Sequence, residues 1–182
     1  MKRWLRFTAA VLAAAFLFAL TGCGSSTNSA SFTWFVDSIP ANLDPQVASG
    51  ASEVIACENL YGTLVRKDPD GELVPGLCEK WTVSSDGLTY TFTLKDGLTY
   101  AAAKGAATEY DITAEDFVFA FRRIFHAETS SPYAVEFSAI QNSAAVLAGL
   151  ADESSLGVSA NGPLPLVFRL SERGENFLEK LA

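Results

Sequence analysis

Three observations predict an α/β fold for the part of the chain from residue 32 onward. Leu88-Thr89-Tyr90-Thr91-Phe92-Thr93-Leu94 alternates large apolar residues with threonine without a break, the period of a strand with one buried face. From Thr113 to Phe125 the chain sets Phe117, Phe121, Ile124 and Phe125 at helical spacing, behind a threonine cap with Asp116 three residues on. Asp86-Gly87 and Asn161-Gly162 each stand between runs of strand character, the shortest hairpin signal.

The chain opens with Lys2, Arg3 and Arg6, an apolar run from Phe7 to Leu20, and then Leu20-Thr21-Gly22-Cys23. A charged end, an apolar stretch too short for a settled span and small residues before a cleavage point make residues 1–22 an export signal. The cysteine at that point makes it a lipoprotein signal, with Cys23 as the lipidated N-terminus and membrane anchor of the mature chain. Residues 23–31, ending in Ser-Thr-Asn-Ser-Ala-Ser, carry no charge and little apolar surface, the composition of a flexible tether.

Phe32-Thr33-Trp34-Phe35-Val36 reads as a strand ended by Asp37-Ser38-Ile39-Pro40. Ser52 and Glu53 open a helix with Val54, Cys57, Tyr61 and Leu64 on one face, which Gly62 ends so that Thr63–Arg66 is extended. Asp68-Pro69-Asp70-Gly71 is a turn, because proline presets one φ angle and glycine accepts a positive one. Trp81-Thr82-Val83 partners the alternating strand across the Asp86-Gly87 turn. Residues 97–112 read as a loop. Helices are expected over Ala139–Ala151, with Ile140, Ala144 and Leu147 in line, and over Glu175–Ala182, with Phe177, Leu178 and Leu181 inward; Leu166–Leu170 is the return strand of a second hairpin. The last helix meets Ala182 with no cap and no Gly or Pro stop, as in a chain cut from a longer protein, although a native terminus can also fray.

The whole sequence has 13 basic and 21 acidic residues, a formal charge of −8. Removing residues 1–22 takes away three of the basic ones and makes the remainder more acidic still, which argues against nucleic acid as a partner. His126 is the only histidine, so a Ser-His-Asp or Cys-His site would have to use it. No nucleophile elbow, phosphate loop or HExxH motif accompanies it, and interaction with the carbonyl end of its own helix is the expected role. No catalytic residue, metal site or cofactor is expected. Cys57 and Cys78 fit neither a CxxC redox pair nor a zinc site; they form either a disulfide, in an exported chain where one can form, or two small buried thiols.

The order of the short motifs is informative as a whole. Leu43-Asp44-Pro45, Leu60-Tyr61-Gly62-Thr63-Leu64, Asp70-Gly71-Glu72-Leu73-Val74-Pro75-Gly76-Leu77 before Trp81, Ser85–Lys95, Thr113-Ala114-Glu115-Asp116-Phe117, Ser131-Pro132-Tyr133-Ala134 and Leu156-Gly157-Val158 together resemble the start of the oligopeptide/dipeptide/nickel-binding receptors of ABC importers, extracellular solute-binding protein family 5. The resemblance implies a type II periplasmic-binding-protein-like fold of two lobes that close on a ligand. Residues 32–65 would be the start of lobe I and residues 66–182 its extra α+β subdomain, with the second lobe beyond Ala182. It implies a peptide ligand, ABC permease subunits as partners, and anchoring on the outer face of the cytoplasmic membrane. Dipeptides, nickel complexes, haem or oligosaccharides on the same scaffold are alternatives, as is a surface interaction or chaperone lipoprotein with no transport role.

By the same resemblance Ser49, Gly50, Ala51 and Tyr133 border the ligand cleft. The residues supply a modest reason of their own: Ala48–Ala51 is a small-residue stretch whose backbone groups could pair with an extended peptide, and Tyr133 offers a flat ring and a hydroxyl. Two departures from the family pattern stand out. Tyr100-Ala101-Ala102-Ala103-Lys104-Gly105 replaces the usual tryptophan and Asp-Gly, and Cys78 stands where a small Ala or Ser is usual.

Overall fold

A computed structural model describes residue 33 and residues 35–101, 110–174 and 176–182. The signal, Cys23 and the tether lie outside these residues. The chain divides after Phe35, and the unit Val36–Ala182 holds every described helix and strand. Of the strand expected over 32–36, Phe32 and Trp34 lie outside the described residues, and Thr33, Phe35 and Val36 belong to no strand. A strand needs a neighbour for its N–H and C=O groups, and among the described residues no strand pairs with this segment.

Helix α1 spans Ala51–Leu60, starting just before the expected Ser52 because Glu53 reaches back to the amides of Ser49 and Gly50. Its expected apolar face is only partly realised: Cys57 is buried, Val54 half-buried and Tyr61 exposed, while Leu64 is buried only after the chain has left the helix. Strands β1 (Val65–Lys67) and β2 (Leu73–Pro75) then form a small antiparallel ribbon. The turn between them is the expected one, with Gly71 at φ +87° and the Asp68 carboxylate accepting from the amides of Asp70 and Glu72.

The central element is a four-stranded antiparallel sheet in the order β3-β4-β6-β5, where β3 is Cys78–Val83, β4 Thr89–Leu94, β5 Val158–Ala160 and β6 Pro165–Arg169. The alternation in β4 is kept: Tyr90, Phe92 and Leu94 are buried and the threonines face the other way. Both expected hairpins form, β3 with β4 across Asp86-Gly87 and β5 with β6 across Asn161-Gly162. Pairing Tyr90 with Phe168 and Phe92 with Leu166 puts the apolar residues of β4 and β6 on one face. Helix α2 (Ala114–Phe125) lies on that face against β5 and β6. Its start is fixed by the Asp116 carboxylate, which accepts from the Thr113 amide at 2.7 Å and the Thr113 hydroxyl at 2.9 Å.

Phe168 is the hub of the core. Its ring stands edge-on to Phe92 at 5.8 Å, Phe121 at 4.8 Å and Phe177 at 5.5 Å, joining sheet, helix and the C-terminal segment in geometries that aromatic quadrupoles favour.

Two expected helices are shorter than their periodicity suggests. Over 139–151 only Ser143–Leu147 is α-helical (α3). Ile140 instead bridges to Leu170, the Gln141 amide donates to the Arg169 carbonyl, and Asn142 adopts φ 64°, a left-handed turn that no helix can run through. At its other end α3 stops at Gly149, φ +68°, with Leu150 N–H bonded to Ala145 O at 2.8 Å and Gly149 N–H to Val146 O at 2.9 Å, a Schellman closure. In the segment 175–182, Asn176 is left-handed at φ 60° and only Glu179–Leu181 winds, as a 3₁₀ turn; Phe177 and Leu181 are still buried. Glu175 lies outside the described residues. The loop 97–112 is also more ordered than expected where it is described, since Thr99 bridges Asp111 and Tyr100 N–H donates to Tyr110 O at 2.8 Å.

Candidate ligand-facing loop

The segment from Asn42 to Gly50 has no regular structure, yet many of its backbone and side-chain polar groups are engaged. It begins as an Asx turn: the Asp44 carboxylate accepts from the Gln46 amide, and the Asp44 carbonyl accepts from the amides of Val47 and Ala48. Residues far along the chain then hold it from α2 and from the short 3₁₀ turn Pro132–Ala134. Arg123, near the end of α2, donates from Nη1 to Asp44 Oδ1 at 2.9 Å and to Gln46 Oε1 at 2.7 Å, and from Nη2 to Asp44 Oδ2. Gln46 Nε2 donates to the Ala120 carbonyl at 3.1 Å. Ser131 Oγ donates to the Gln46 carbonyl at 2.6 Å, and the Tyr133 hydroxyl to the Ala48 carbonyl.

The result is a loop whose one buried residue, Ala48, leads directly to the exposed Ser49-Gly50-Ala51 step at the start of α1. The four sequence-predicted residues are therefore brought together, since Tyr133 bonds the residue preceding Ser49. Two details differ from what the sequence suggested. The amides of Ser49 and Gly50 each donate to Glu53 Oε2 at 3.1 Å, so they are not open donors. The Tyr133 hydroxyl is likewise committed to Ala48, and its ring is half-buried against the core.

The electrostatics follow from these bonds. The Arg123 guanidinium beside Asp44 holds its carboxyl below the usual carboxylate value, and the Gly50 and Ser49 amides do the same for Glu53. Cys57 and Cys78 are unbridged and separately buried, one on α1 and one at the head of β3; of the two alternatives, the structure has the pair of small buried thiols. Burial pushes both thiols up, which makes them poor nucleophiles.

His126 follows the end of α2 as expected, but its imidazole turns to another element: Nε2 lies 3.4 Å from Glu153 Oε1. It borders an open hollow of about 470 Å³ that also includes Arg122, Glu128 and Glu153 and none of residues 49–51. Sequence reasoning missed the Arg123, Gln46 and Ser131 contacts altogether. Leu43-Asp44-Pro45 marked the loop, but nothing in a linear sequence pairs Asp44 with an arginine 79 positions away.

Comparison with known proteins identifies the family. Residues 72–182 match the family model for bacterial extracellular solute-binding proteins, family 5, and the chain belongs to this family, a family of solute-binding proteins rather than of enzymes. It is a mixed α/β portion of the type II periplasmic-binding-protein fold. Among curated relatives, the periplasmic murein peptide-binding protein MppA of Escherichia coli K12 is 36% identical over 66% of this chain and 22% of its own. The probable deoxycholate-binding periplasmic protein YgiS of the same organism is 33% identical over 79% of this chain and 26% of its own. The solved structure of MppA superposes with a TM-score of 0.69 at 34% identity, over 79% of this chain and 27% of that one. Haemophilus influenzae OppA in complex with RPPGFSPFR gives 0.68 at 28% identity, over 78% and 27%. The chain thus spans about a quarter of the length of the relatives it matches. No described helix is long and apolar enough to cross a membrane.

Proposed function

We propose that the chain forms part of the peptide receptor of an ABC importer, with Ser49, Gly50, Ala51 and Tyr133 bordering the peptide cleft. The observation that carries this reading is the engaged loop 42–50, which presents Ser49–Ala51 to solvent while residues of α2 and the 131–133 turn fix its backbone. Preorganisation of this kind lowers the ordering cost of binding. The peptide relatives support the ligand class. In this reading residues 32–65 start lobe I, residues 66–182 form its extra subdomain, and permease subunits receive the peptide. Cys23 carries the lipid that holds the receptor to the outer face of the cytoplasmic membrane, with residues 23–31 as the tether.

Ligand binding to the folded state stabilises it by RT ln(1 + [L]/Kd) and so raises the melting temperature. The complete product of the gene, heated with a mixed peptide library, is expected to show a rise that keeps growing with the logarithm of peptide concentration. Deoxycholate in place of peptide tests the second reading, which the similarity to YgiS favours; a rise with deoxycholate and none with peptides would replace the first reading by the second. The anchor is tested separately: Cys23→Ala expressed in a bacterium should accumulate as an unlipidated precursor, and normal processing with detergent partitioning would remove Cys23 from the account.

A further inference from the structure

Arg123 occupies an unusual place in the loop's support. It is the one side chain from α2 that reaches both Asp44 and Gln46, and through them both ends of the turn that sets Ala48 and the residues after it. Asp44 receives both Nη atoms, a fork-on-fork contact that fixes direction as well as distance. Gln46 is held three ways, by Arg123 at its amide oxygen, by Ala120 at its amide nitrogen and by Ser131 at its carbonyl. The pair is partly open, with Arg123 37% and Asp44 26% exposed. Exposed ion pairs contribute little to global stability, so a contact of this kind acts on the local segment it orders far more than on the core.

We propose that Arg123 is a positioning residue for ligand binding: its bidentate contact with Asp44, shared with Gln46, sets the conformation of residues 44–50 and so makes α2 of the subdomain a determinant of affinity at Ser49–Ala51. The inference rests on the peptide-receptor reading above. Helix α2 then acts on the ligand without touching it, through the contact that Arg123 makes with Asp44, 79 positions away in the chain.

The test uses the complete gene product, with two independent readouts. Native-state hydrogen exchange follows the amides of Val47 and Ala48, both bonded to the Asp44 carbonyl, against those of Leu94 and Leu170 in the sheet, bonded to the carbonyls of Leu164 and Leu88. Isothermal titration with the tightest peptide from the library gives Kd. Arg123→Gln is expected to speed exchange at Val47 and Ala48 by about five- to tenfold, change the sheet amides far less, by about twofold at most, and raise Kd by about as much as it speeds loop exchange. Arg123→Lys, which keeps the charge but loses the fork, should fall between, and Asp44→Asn should match Arg123→Gln. Lys67→Met, which breaks the comparable pair with Glu179 at 3.1 Å, should move neither readout. Faster loop exchange with an unchanged Kd would overturn the positioning role while leaving the peptide-receptor reading intact, and unchanged loop exchange would overturn it at its first step. A wild-type protein that binds no peptide is a separate failure, of the functional reading and of the inference resting on it. Should Arg123→Gln fail to fold, the Lys and Asn variants carry the same comparison.

Discussion

Asp44 joins three roles in one side chain: it caps its own turn through the Gln46 amide, receives the Arg123 fork, and carries on its carbonyl the amides that shape Ala48. Its folded-state pKa lies below the ordinary 3.8, chiefly through the Arg123 hydrogen bond. A depressed carboxylate contributes stability that is fully present above its unfolded pKa and is lost as pH falls through the folded one. The wild type should therefore melt above Asp44→Asn at neutral pH, and the gap should close progressively below pH 3.8. Melting curves from pH 7 down to about 2 check this; a gap that stayed constant through the acid range would show that Asp44 acts by shape and not by charge. That Asp44 belongs to a turn was legible in Leu43-Asp44-Pro45, because asparagine, aspartate and proline have local reasons to be there. That its carboxylate meets Arg123 was not, because long-range polar contacts leave no period in the sequence.

Strands and helices show the same division between local and distant causes. β4 and α2 could be read directly, since each carries its own periodicity and its own end signals at Asp86-Gly87 and Thr113. The helix expected over 139–151 failed because Ile140 has a competing partner: a bridge to Leu170, supported by Gln141 N–H on Arg169 O, takes the first residues into the edge of the sheet. Tertiary pairing there overrides local preference. Gly157 marks how tightly that edge is built. Its amide donates to Gln141 and its carbonyl accepts from Arg169 N–H, and a β-carbon at this position would stand 2.4 Å from the Arg169 carbonyl oxygen and 2.8 Å from Gln141 Cβ. Both neighbours are anchored in backbone pairing and cannot simply rotate away. Gly157→Ala should cost about 1–3 kcal/mol, as overpacked sites do, seen as a lower denaturation midpoint at unchanged slope. An alanine tolerated without loss would mean that β5 can shift away from Gln141.

At the scale of the whole molecule, the sheet order β3-β4-β6-β5 places at its centre two strands that are distant in sequence. β3 and β4 close on each other locally, but the inner face of β4 is covered only when β6, α2 and Phe177 arrive. The consequence is one of timing. With β4 ending at Leu94 and β6 starting at Pro165, synthesis at about 5–20 residues per second leaves β4 without its partner for roughly 4 to 14 s. For that interval Thr-Tyr-Thr-Phe-Thr-Leu is paired on its β3 edge only, and its open edge is an uncharged, proline-free segment of high strand propensity, the composition most prone to pairing with other chains. Residues 23–160, which lack β6, should be degraded by a low dose of protease that leaves 23–182 intact. Equal resistance of the two would mean that β3, β4 and α2 close a core by themselves and that the window in which the chain needs protection ends well before β6 leaves the ribosome.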